Sequence, residues 1–216
     1  NDDRFVYFLE RRGPGLFLRA SPVDVSSIIQ ELLFKRMRAT VLASATLAVD
    51  GSFEYQRSRL GIHDAIELRL ASEFDYADQT VLYLPKQMPE PKAANFVQAS
   101  ADRICGLLEV TQGRAFVLFT SYTNMYEVHK LIESTVPFPL LVQGTAPRSV
   151  LLRNFRETPN AVLLATSSFW QGVDVAGDTL SCVIIDKLPF SHPGDPITSA
   201  RLELIAQRGG NPFHEY

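Results

Sequence analysis

The sequence predicts an α/β fold, with a mostly parallel central sheet and helices on both faces. From residue 91 onward, short apolar runs alternate with longer amphipathic stretches, which is typical of βαβ units. Several of these apolar runs end abruptly in polar residues, as strands do at the ligand-binding edge of a parallel sheet. The chain has 216 residues, 46% of them hydrophobic and 21% charged, so it can bury a core without disulfides or metals.

The first ninety residues are predicted to form a hairpin, two helices and three short strands. Residues 5–10 and 16–20 are apolar runs on either side of a Gly-Pro-Gly turn, which predicts two antiparallel strands. Apolar residues at helical spacing predict a helix that opens at 21–24, and a second helix is expected over 53–60. The remaining apolar runs are predicted strands: 40–43, 66–70 and 80–84.

The rest of the chain predicts a regular alternation of strands and helices. Prolines at 85, 89 and 91 mark a loop before it, without defining a domain linker, so residues 1–216 are expected to form one domain. The predicted helices are 92–110, 123–134, 147–157 and 197–208. The predicted strands are 115–119, 139–142, 161–165 and 182–185.

Charge and cysteine content restrict the functional classes. The net charge is -3 and the isoelectric point about 5.8, which argues against a dedicated nucleic-acid binder. Basic residues nevertheless crowd the first forty positions, either as a solvated surface or as a local patch. Cys105 and Cys182 lack a CxxC partner, so no metal site is predicted, and they are expected to be small buried hydrophobic residues in a reducing compartment.

No signal peptide and no apolar run of transmembrane length is present, so we expect a cytoplasmic protein without a membrane partner. The first residue is not Met and the last residues stop abruptly, which indicates a piece of a longer protein. The chain contains no GxxxxGK[ST] phosphate-binding loop, no HExxH and no GxSxG. A self-contained hydrolase is therefore hard to build from these residues.

Hydroxyl residues follow three of the predicted strands, at 44–46, 120–122 and 166–168. Such residues can simply cap the next helix. Alternatively, they can line one edge of the sheet, where small hydroxyls and helix N-termini face phosphate oxygens. The last of them opens the most informative stretch, residues 162–190, in which two apolar strands flank a polar turn that contains Gly172.

Several segments, taken in order, resemble the DinG/XPD branch of the superfamily 2 DNA helicases. Residues 41–47 (VLASATL) are similar to motif III, 116–122 (FVLFTSY) to motif IV, and 166–177 (TSSFWQGVDVAG) to motif V. Residues 182–190 (CVIIDKLPF) match the strand that follows motif V, and 72–76 (SEFDY) resemble the segment before motif IV. The resemblance spans nearly the whole chain.

This resemblance implies a RecA-like second motor domain of a helicase that hydrolyses ATP with Mg²⁺. Its partners would be single-stranded DNA and the first RecA-like domain of the same protein, which would also carry any iron–sulfur cluster. Motif VI would follow Tyr216, so no complete catalytic set lies in this chain, and the chain alone is expected to be inactive. The implied roles are the ATP cleft for Gln171, Gly172 and Asp174, the DNA backbone for Ser121, Tyr122, Thr166 and Ser167, and coupling for Ser44 and Thr46. Gln171 stands where relatives often have Glu, so no acid role is assigned to it.

Two other classes remain open at this point. One is a non-catalytic nucleic-acid or protein binding module with a doubly wound α/β fold. The other is a small-molecule enzyme of that fold, which would need a glycine-rich first βα turn. No GxGxxG occurs in the chain.

Overall fold

The computed structural model describes residue 2 and residues 4–190 and 194–212. Contacts divide the chain into two compact units: the hairpin unit, residues 1–81 and 191–216, and the sheet unit, residues 82–190. The strands are β1 (Phe5–Arg12), β2 (Gly15–Pro22), β3 (Ala115–Leu118), β4 (Leu140–Val142), β5 (Val162–Ala165) and β6 (Cys182–Ile185). The helices are α1 (Ser26–Leu32), α2 (Glu54–Leu60), α3 (Tyr76–Gln79), α4 (Phe96–Thr111), α5 (Tyr122–Ile132), α6 (Arg148–Glu157) and α7 (Pro196–Gln207).

The hairpin unit takes its name from β1 and β2, which pair in antiparallel fashion from Phe5 with Pro22 to Arg12 with Gly15. Its helices begin and end at recognisable signals. Helix α7 starts with Pro196 in its first turn, where the Asp195 side chain accepts a 2.8 Å hydrogen bond from the Thr198 amide. Helix α2 ends at Gly61, which has the left-handed conformation of a helix C-terminus.

The sheet unit contains a four-stranded parallel sheet in the order β4-β5-β3-β6. Alternate residues of the central strands point to opposite faces. Val117 and Leu164 pack with α4 and α5 on one face, whereas Phe116 and Leu163 pack with α6 on the other. The predicted parallel α/β sheet with helices on both faces is therefore confirmed. Because the strands run parallel, their carboxyl ends meet at one edge of the sheet.

Most predicted elements of the sheet unit are found within a few residues of their expected bounds. The largest shift is at α4, which begins at Phe96 rather than residue 92, because turns occupy the residues just after Pro91. Cys105 and Cys182 are unpaired thiols that pack against the core, and burial raises the pKa of both. Both cysteines were predicted to be buried, but each is only partly buried, and the reducing compartment stays a prediction.

The three predicted strands 40–43, 66–70 and 80–84 are wrong. None of these segments pairs with a neighbour in the described residues, and Val41, Ile66 and Val81 are 89%, 103% and 94% exposed. An apolar run becomes a strand only where another strand supplies hydrogen bonds and a surface to cover it, and neither is present here. The predicted edge with three hydroxyl-ended strands consequently has two such strands, β3 and β5. The prediction that residues 1–216 form one domain stays a prediction.

Candidate functional site

The carboxyl edge of the parallel sheet brings together polar residues from four separate segments. Residues 120–122 follow β3, residues 166–168 follow β5, Asp186 follows β6, and Gln143 follows β4. Strand order alone explains this convergence, since β5 and β3 are the two central strands and β4 lies next to β5. We call this group the strand-end cluster.

Gln143 is the centre of the strand-end cluster. Its Oε1 accepts hydrogen bonds from the Thr166 amide at 2.6 Å and from the Thr166 hydroxyl at 3.0 Å. Its Nε2 donates to the Tyr122 hydroxyl at 2.6 Å and to the Ser168 Oγ at 3.0 Å. The side-chain amide thus uses two acceptor and two donor positions, which is its full capacity.

The main chain at Gln143 is fixed as well. Its amide donates to the Leu164 carbonyl at 2.9 Å, and its carbonyl accepts from the Tyr126 hydroxyl at 3.2 Å. Gly144 follows with a φ of +99°, and a Cβ there would lie 2.6 Å from the Tyr126 hydroxyl. Only glycine therefore permits both the backbone turn and the close approach of Tyr126.

The four residues implied to face DNA occupy two kinds of position. Tyr122 is half exposed, and Ser167 is exposed. Thr166 is only 3% exposed, and its hydroxyl donates to Gln143, so it positions the cluster instead of presenting a free group. The Ser121 Oγ accepts from the Asn124 amide at 3.2 Å, which makes Ser121 the N-cap of α5.

Arg148, the first residue of α6, holds the turn that follows β5. Its Nε donates to the Ser168 carbonyl at 3.1 Å, and one terminal nitrogen donates to the carbonyls of Gln171 and Gly172 at 3.0 and 2.8 Å. The guanidinium also lies 5.4 Å from the centre of the Phe169 ring. Phe169 is buried in the core, so this one cation fixes the turn against the fold.

The three residues implied to face ATP lie together on this turn. Gln171, Gly172 and Asp174 are all exposed, whereas Val173 and Val175 pack against the core on either side of Asp174. Gly172 has a φ of +65°, a conformation that residues with a Cβ rarely adopt. The Asp174 carbonyl accepts from Arg156 at 2.7 Å, and Asp174 is not the N-cap of the following 3₁₀ turn, Gly177–Thr179, which Ala176 precedes.

Asp186 ties the end of β6 to the end of β3. Its Oδ1 accepts from the Thr120 amide at 3.1 Å, and its Oδ2 lies 4.0 Å from the Lys187 ammonium. The side chain is only 1% exposed, and this burial raises the pKa of the carboxyl above its usual range, although Lys187 and the Thr120 amide oppose the shift.

Ser44 and Thr46, implied to couple two motor domains, lie in an exposed turn of the hairpin unit. Their hydroxyls are 3.2 Å apart, and the Thr46 amide donates to the Ser44 Oγ at 3.2 Å. These contacts form a local turn of the kind that serine commonly makes. The assigned roles of these two residues, like those of the residues in the sheet unit, stay predictions.

Sequence reasoning missed Gln143, Arg148 and Asp186. Asp186 could have been predicted, because it follows an apolar strand in the same way as the polar residues after β3 and β5. Gln143 also follows a strand, but nothing in the sequence around a glutamine indicates which groups its amide will bind. Arg148 carries no sequence signal, since its role depends on three carbonyl groups that lie twenty or more residues away.

The described parts of the chain contain no group of three or more His, Cys, Asp or Glu residues placed to hold a metal ion. Within the same ranges, no helix is both long enough and apolar enough to span a membrane. The expected cytoplasmic location stays a prediction.

Known proteins resemble this chain over most of its length. The family model described as the helicase C-terminal domain matches residues 104–216. The ATP-dependent DNA helicase YoaA of Escherichia coli (strain K12) is 39% identical over 100% of the chain. The 3'-5' exonuclease DinG of Bacillus subtilis (strain 168) is 33% identical over 99% of it, and the ATP-dependent helicase DinG of Mycobacterium tuberculosis (strain ATCC 25618 / H37Rv) is 34% identical over 91%. The chain spans 34%, 24% and 30% of these three relatives, respectively.

Proposed function

The chain belongs to the family of helicase C-terminal domains, and on that premise we propose that it is the second RecA-like motor domain of an ATP-dependent DNA helicase. In this role it forms one wall of an ATP cleft and part of the track for single-stranded DNA. The observation that carries the proposal is a continuous set of hydrogen bonds. It runs from the strand-end cluster, through Ser168 and Arg148, to the turn at Gly172.

The strand-end cluster supplies the nucleic-acid side of the proposal. Tyr122 and Ser167 expose hydroxyls at the edge of a parallel sheet, next to the N-terminus of α5. Hydroxyls, backbone amides and helix N-termini are the groups that contact sugar and phosphate without reading sequence. A motor that moves along a strand needs such sequence-independent contacts, and Gln143 holds these groups in one arrangement.

The turn at 171–174 supplies the nucleotide side. It presents an amide, a bare stretch of backbone at Gly172 and the exposed carboxylate of Asp174. These groups fit a magnesium nucleotide, because Mg²⁺ prefers oxygen ligands and Gly172 lets a ligand approach the main chain. When bound, ATP supplies the phosphoryl group that is transferred to water, a reaction that depends on positioning and on charge stabilisation.

Arg148 connects the two sides. It binds the Ser168 carbonyl at the cluster and the Gly172 carbonyl at the turn, so a shift of one group is transmitted to the other. Through this contact, the nucleotide bound at the turn can change the affinity of the cluster for DNA. We assign Ser44 and Thr46 to the contact with the first motor domain, on the strength of their likeness to motif III.

The complete ATP-driven motor requires the full-length protein. We propose that ATP and Mg²⁺ bind between this domain and a first RecA-like domain, and that any iron–sulfur cluster lies outside this chain. The relatives named as ATP-dependent helicases support this assignment. A purely binding module, the alternative function, would need none of the contacts that Arg148 makes.

The test uses the full-length protein with the substitutions Gln143→Ala and Gln143→Glu. Glutamate keeps the shape and can still accept from Thr166, but it cannot donate to Tyr122 and Ser168. Both variants should lower ATP turnover stimulated by single-stranded DNA by roughly three- to thirtyfold, the range of typical coupling energies. Glutamate should do so with little change in melting temperature.

Gln98→Ala is the matched control, because Gln98 is exposed on α4 and its side chain donates a hydrogen bond to Asp102, away from the strand-end cluster. It should behave as wild type. Normal DNA-stimulated turnover in both Gln143 variants would refute the role of the cluster. A full-length protein that binds DNA without any ATP turnover would favour the binding module instead.

A further inference from the structure

A pocket of about 200 Å³ opens within the hairpin unit, and none of the residues assigned above to nucleotide, DNA or coupling lines it. It is formed by the two residues that follow β2, by helix α2, and by helix α7 with the residue after it. Val23, Leu204 and Ile205 make up its apolar part, and Tyr55 is its aromatic wall. Three arginines reach the same space: Arg59, Arg201 and Arg208.

The pocket has an excess of positive charge. Among the lining residues that the structure describes, the one acidic residue is Asp24, whose Oδ1 accepts a 2.9 Å hydrogen bond from the Ser26 amide. Burial opposes ionisation of Asp24, but the hydrogen bonds from Ser26 and the charges of Arg208 and Arg59 outweigh it and hold its pKa below the usual range. The carboxylate is therefore ionised, and within the described lining three guanidinium groups face one negative charge.

Two of the three arginines, Arg201 and Arg59, are held in place without being neutralised. Arg201 donates from Nε to the Val23 carbonyl at 3.1 Å, and the Arg59 guanidinium lies 5.3 Å from the centre of the Tyr55 ring. Across the described ranges, Arg59 and Arg208 form neither a salt bridge nor a side-chain hydrogen bond, which leaves their donors available. Positioned guanidinium groups with free donors are the preferred partners of phosphate oxygens.

We propose that this pocket is a phosphate-binding site. Arg59 and Arg208 donate to the phosphate oxygens, Arg201 completes the positive wall, and Tyr55 lies beside the bound group. The pocket volume exceeds the space that one phosphate group needs, so a phosphodiester with part of its sugar also fits. The phosphate can therefore come from the backbone of single-stranded DNA or from a free phosphate compound. This inference does not rest on the proposed motor function, because it uses no residue of the strand-end cluster or of the turn.

The experiment measures binding of two probes to the chain by titration calorimetry at low salt: inorganic phosphate and a short oligothymidylate. The pocket variant carries Arg59→Gln and Arg208→Gln together. It should weaken phosphate binding at least about tenfold, since each charge-assisted hydrogen bond contributes more than a neutral one. The control variant carries Arg103→Gln and Arg153→Gln, which remove the same charge from exposed positions on α4 and α6, and it should bind phosphate like wild type.

Binding of the oligothymidylate shows whether the phosphate comes from a DNA backbone or from a free phosphate compound. If the pocket takes a DNA backbone phosphate, the pocket variant also weakens oligothymidylate binding, and its log–log salt slope falls by roughly 1.4, about 0.7 for each lost contact. If the pocket takes a free phosphate compound, only phosphate binding is lost. A second variant, Ser58→Glu, adds a negative charge at the exposed rim without altering an arginine. It should weaken binding of each probe whose binding the pocket variant weakens. The proposal is overturned if wild type binds neither probe, or if pocket and control variants bind both probes equally well.

Discussion

At the scale of single residues, the main chain and the side chain of Asp174 have different roles. Its neighbours Val173 and Val175 pack into the core, and this alternation leaves the Asp174 side chain exposed. Its carbonyl is held by Arg156, whereas its carboxylate caps no helix. The fold therefore uses the main chain of Asp174 and leaves its carboxylate available to a ligand.

We expect Asp174→Ala in the full-length protein to abolish DNA-stimulated ATP turnover. Its free energy of unfolding should stay within about 0.5 kcal/mol of wild type, as for other exposed positions. ATPase assays and urea denaturation of the same preparation measure the two effects. Asp178→Ala, four residues further on and also exposed, should leave both unchanged. A loss of stability without a loss of turnover would assign Asp174 to the fold alone.

Gln143 and Tyr122 illustrate how far sequence reasoning reaches at this scale. The hydroxyl of Tyr122 was predictable, because a polar group after an apolar run of a βαβ unit must lie near the carboxyl edge of the sheet. The role of Gln143 was not, because its amide is shared among Thr166, Ser168 and Tyr122, which are 21 to 25 residues away in the sequence. Local pattern identifies groups at an edge but not the hydrogen bonds that they exchange.

At the scale of elements, the turn after β5 depends on one cation from the start of α6. The turn has little regular structure of its own beyond the 3₁₀ turn Ser167–Phe169. Arg148 supplies three hydrogen bonds to its carbonyls, and Arg156 supplies one further along. Order in this turn thus comes from α6 rather than from the turn's own sequence.

We expect Arg148→Met to loosen the turn while leaving the sheet intact. Methionine keeps the unbranched apolar stem but removes every donor, so amide hydrogen exchange should accelerate over residues 167–173. Exchange in β3 and β5 should remain slow, and the melting temperature should fall only slightly, since Arg148 itself is exposed. Arg153→Met, on the same helix and exposed, serves as the comparison. Unchanged exchange in the turn would mean that Arg148 does not hold it.

The sheet unit and the segment before it show why some elements were predictable and others were not. Strands β3 and β5 are fully buried apolar runs between helices. The alternation of strands and helices that predicted them also implied that parallel strands lie beside them. Residues 40–43 are a short apolar run, whereas residues 66–70 alternate apolar residues with Glu67 and Arg69. Although a helix was predicted between them at 53–60, neither segment has a partner strand in the described residues. The local pattern predicted strands there, but both segments are without regular secondary structure.

At the scale of the whole molecule, charge limits the interaction with DNA. The net charge is -3, so the chain has no general attraction for a polyanion, and affinity must come from a few local contacts. Trp170 is partly buried and packs against the core beside Phe169, which favours packing over stacking on a base. Neither long-range attraction nor a free aromatic surface at Trp170 therefore adds to the phosphate contacts.

We expect the 216-residue chain alone to bind single-stranded DNA weakly and in preference to duplex. The salt dependence should be shallow, with roughly 0.7 added to the log–log slope for each phosphate contact on a single strand. Fluorescence anisotropy of a labelled oligonucleotide at low and at moderate salt measures both quantities. Tight binding that ignores salt would contradict this description, and a preference for duplex would contradict a strand-tracking role.

Strand β6 has a consequence for the colloidal behaviour of the chain. It is an outer strand of the sheet, and Val183 and Ile185 are 54% and 44% exposed on one of its faces. Within the described residues its outer edge carries no further strand, and an open apolar edge is a template on which a second copy can add its own strand. The net charge of -3 supplies only modest repulsion against such strand addition. Concentrated preparations of the chain are consequently prone to precipitate, and dilute ones favour the monomer.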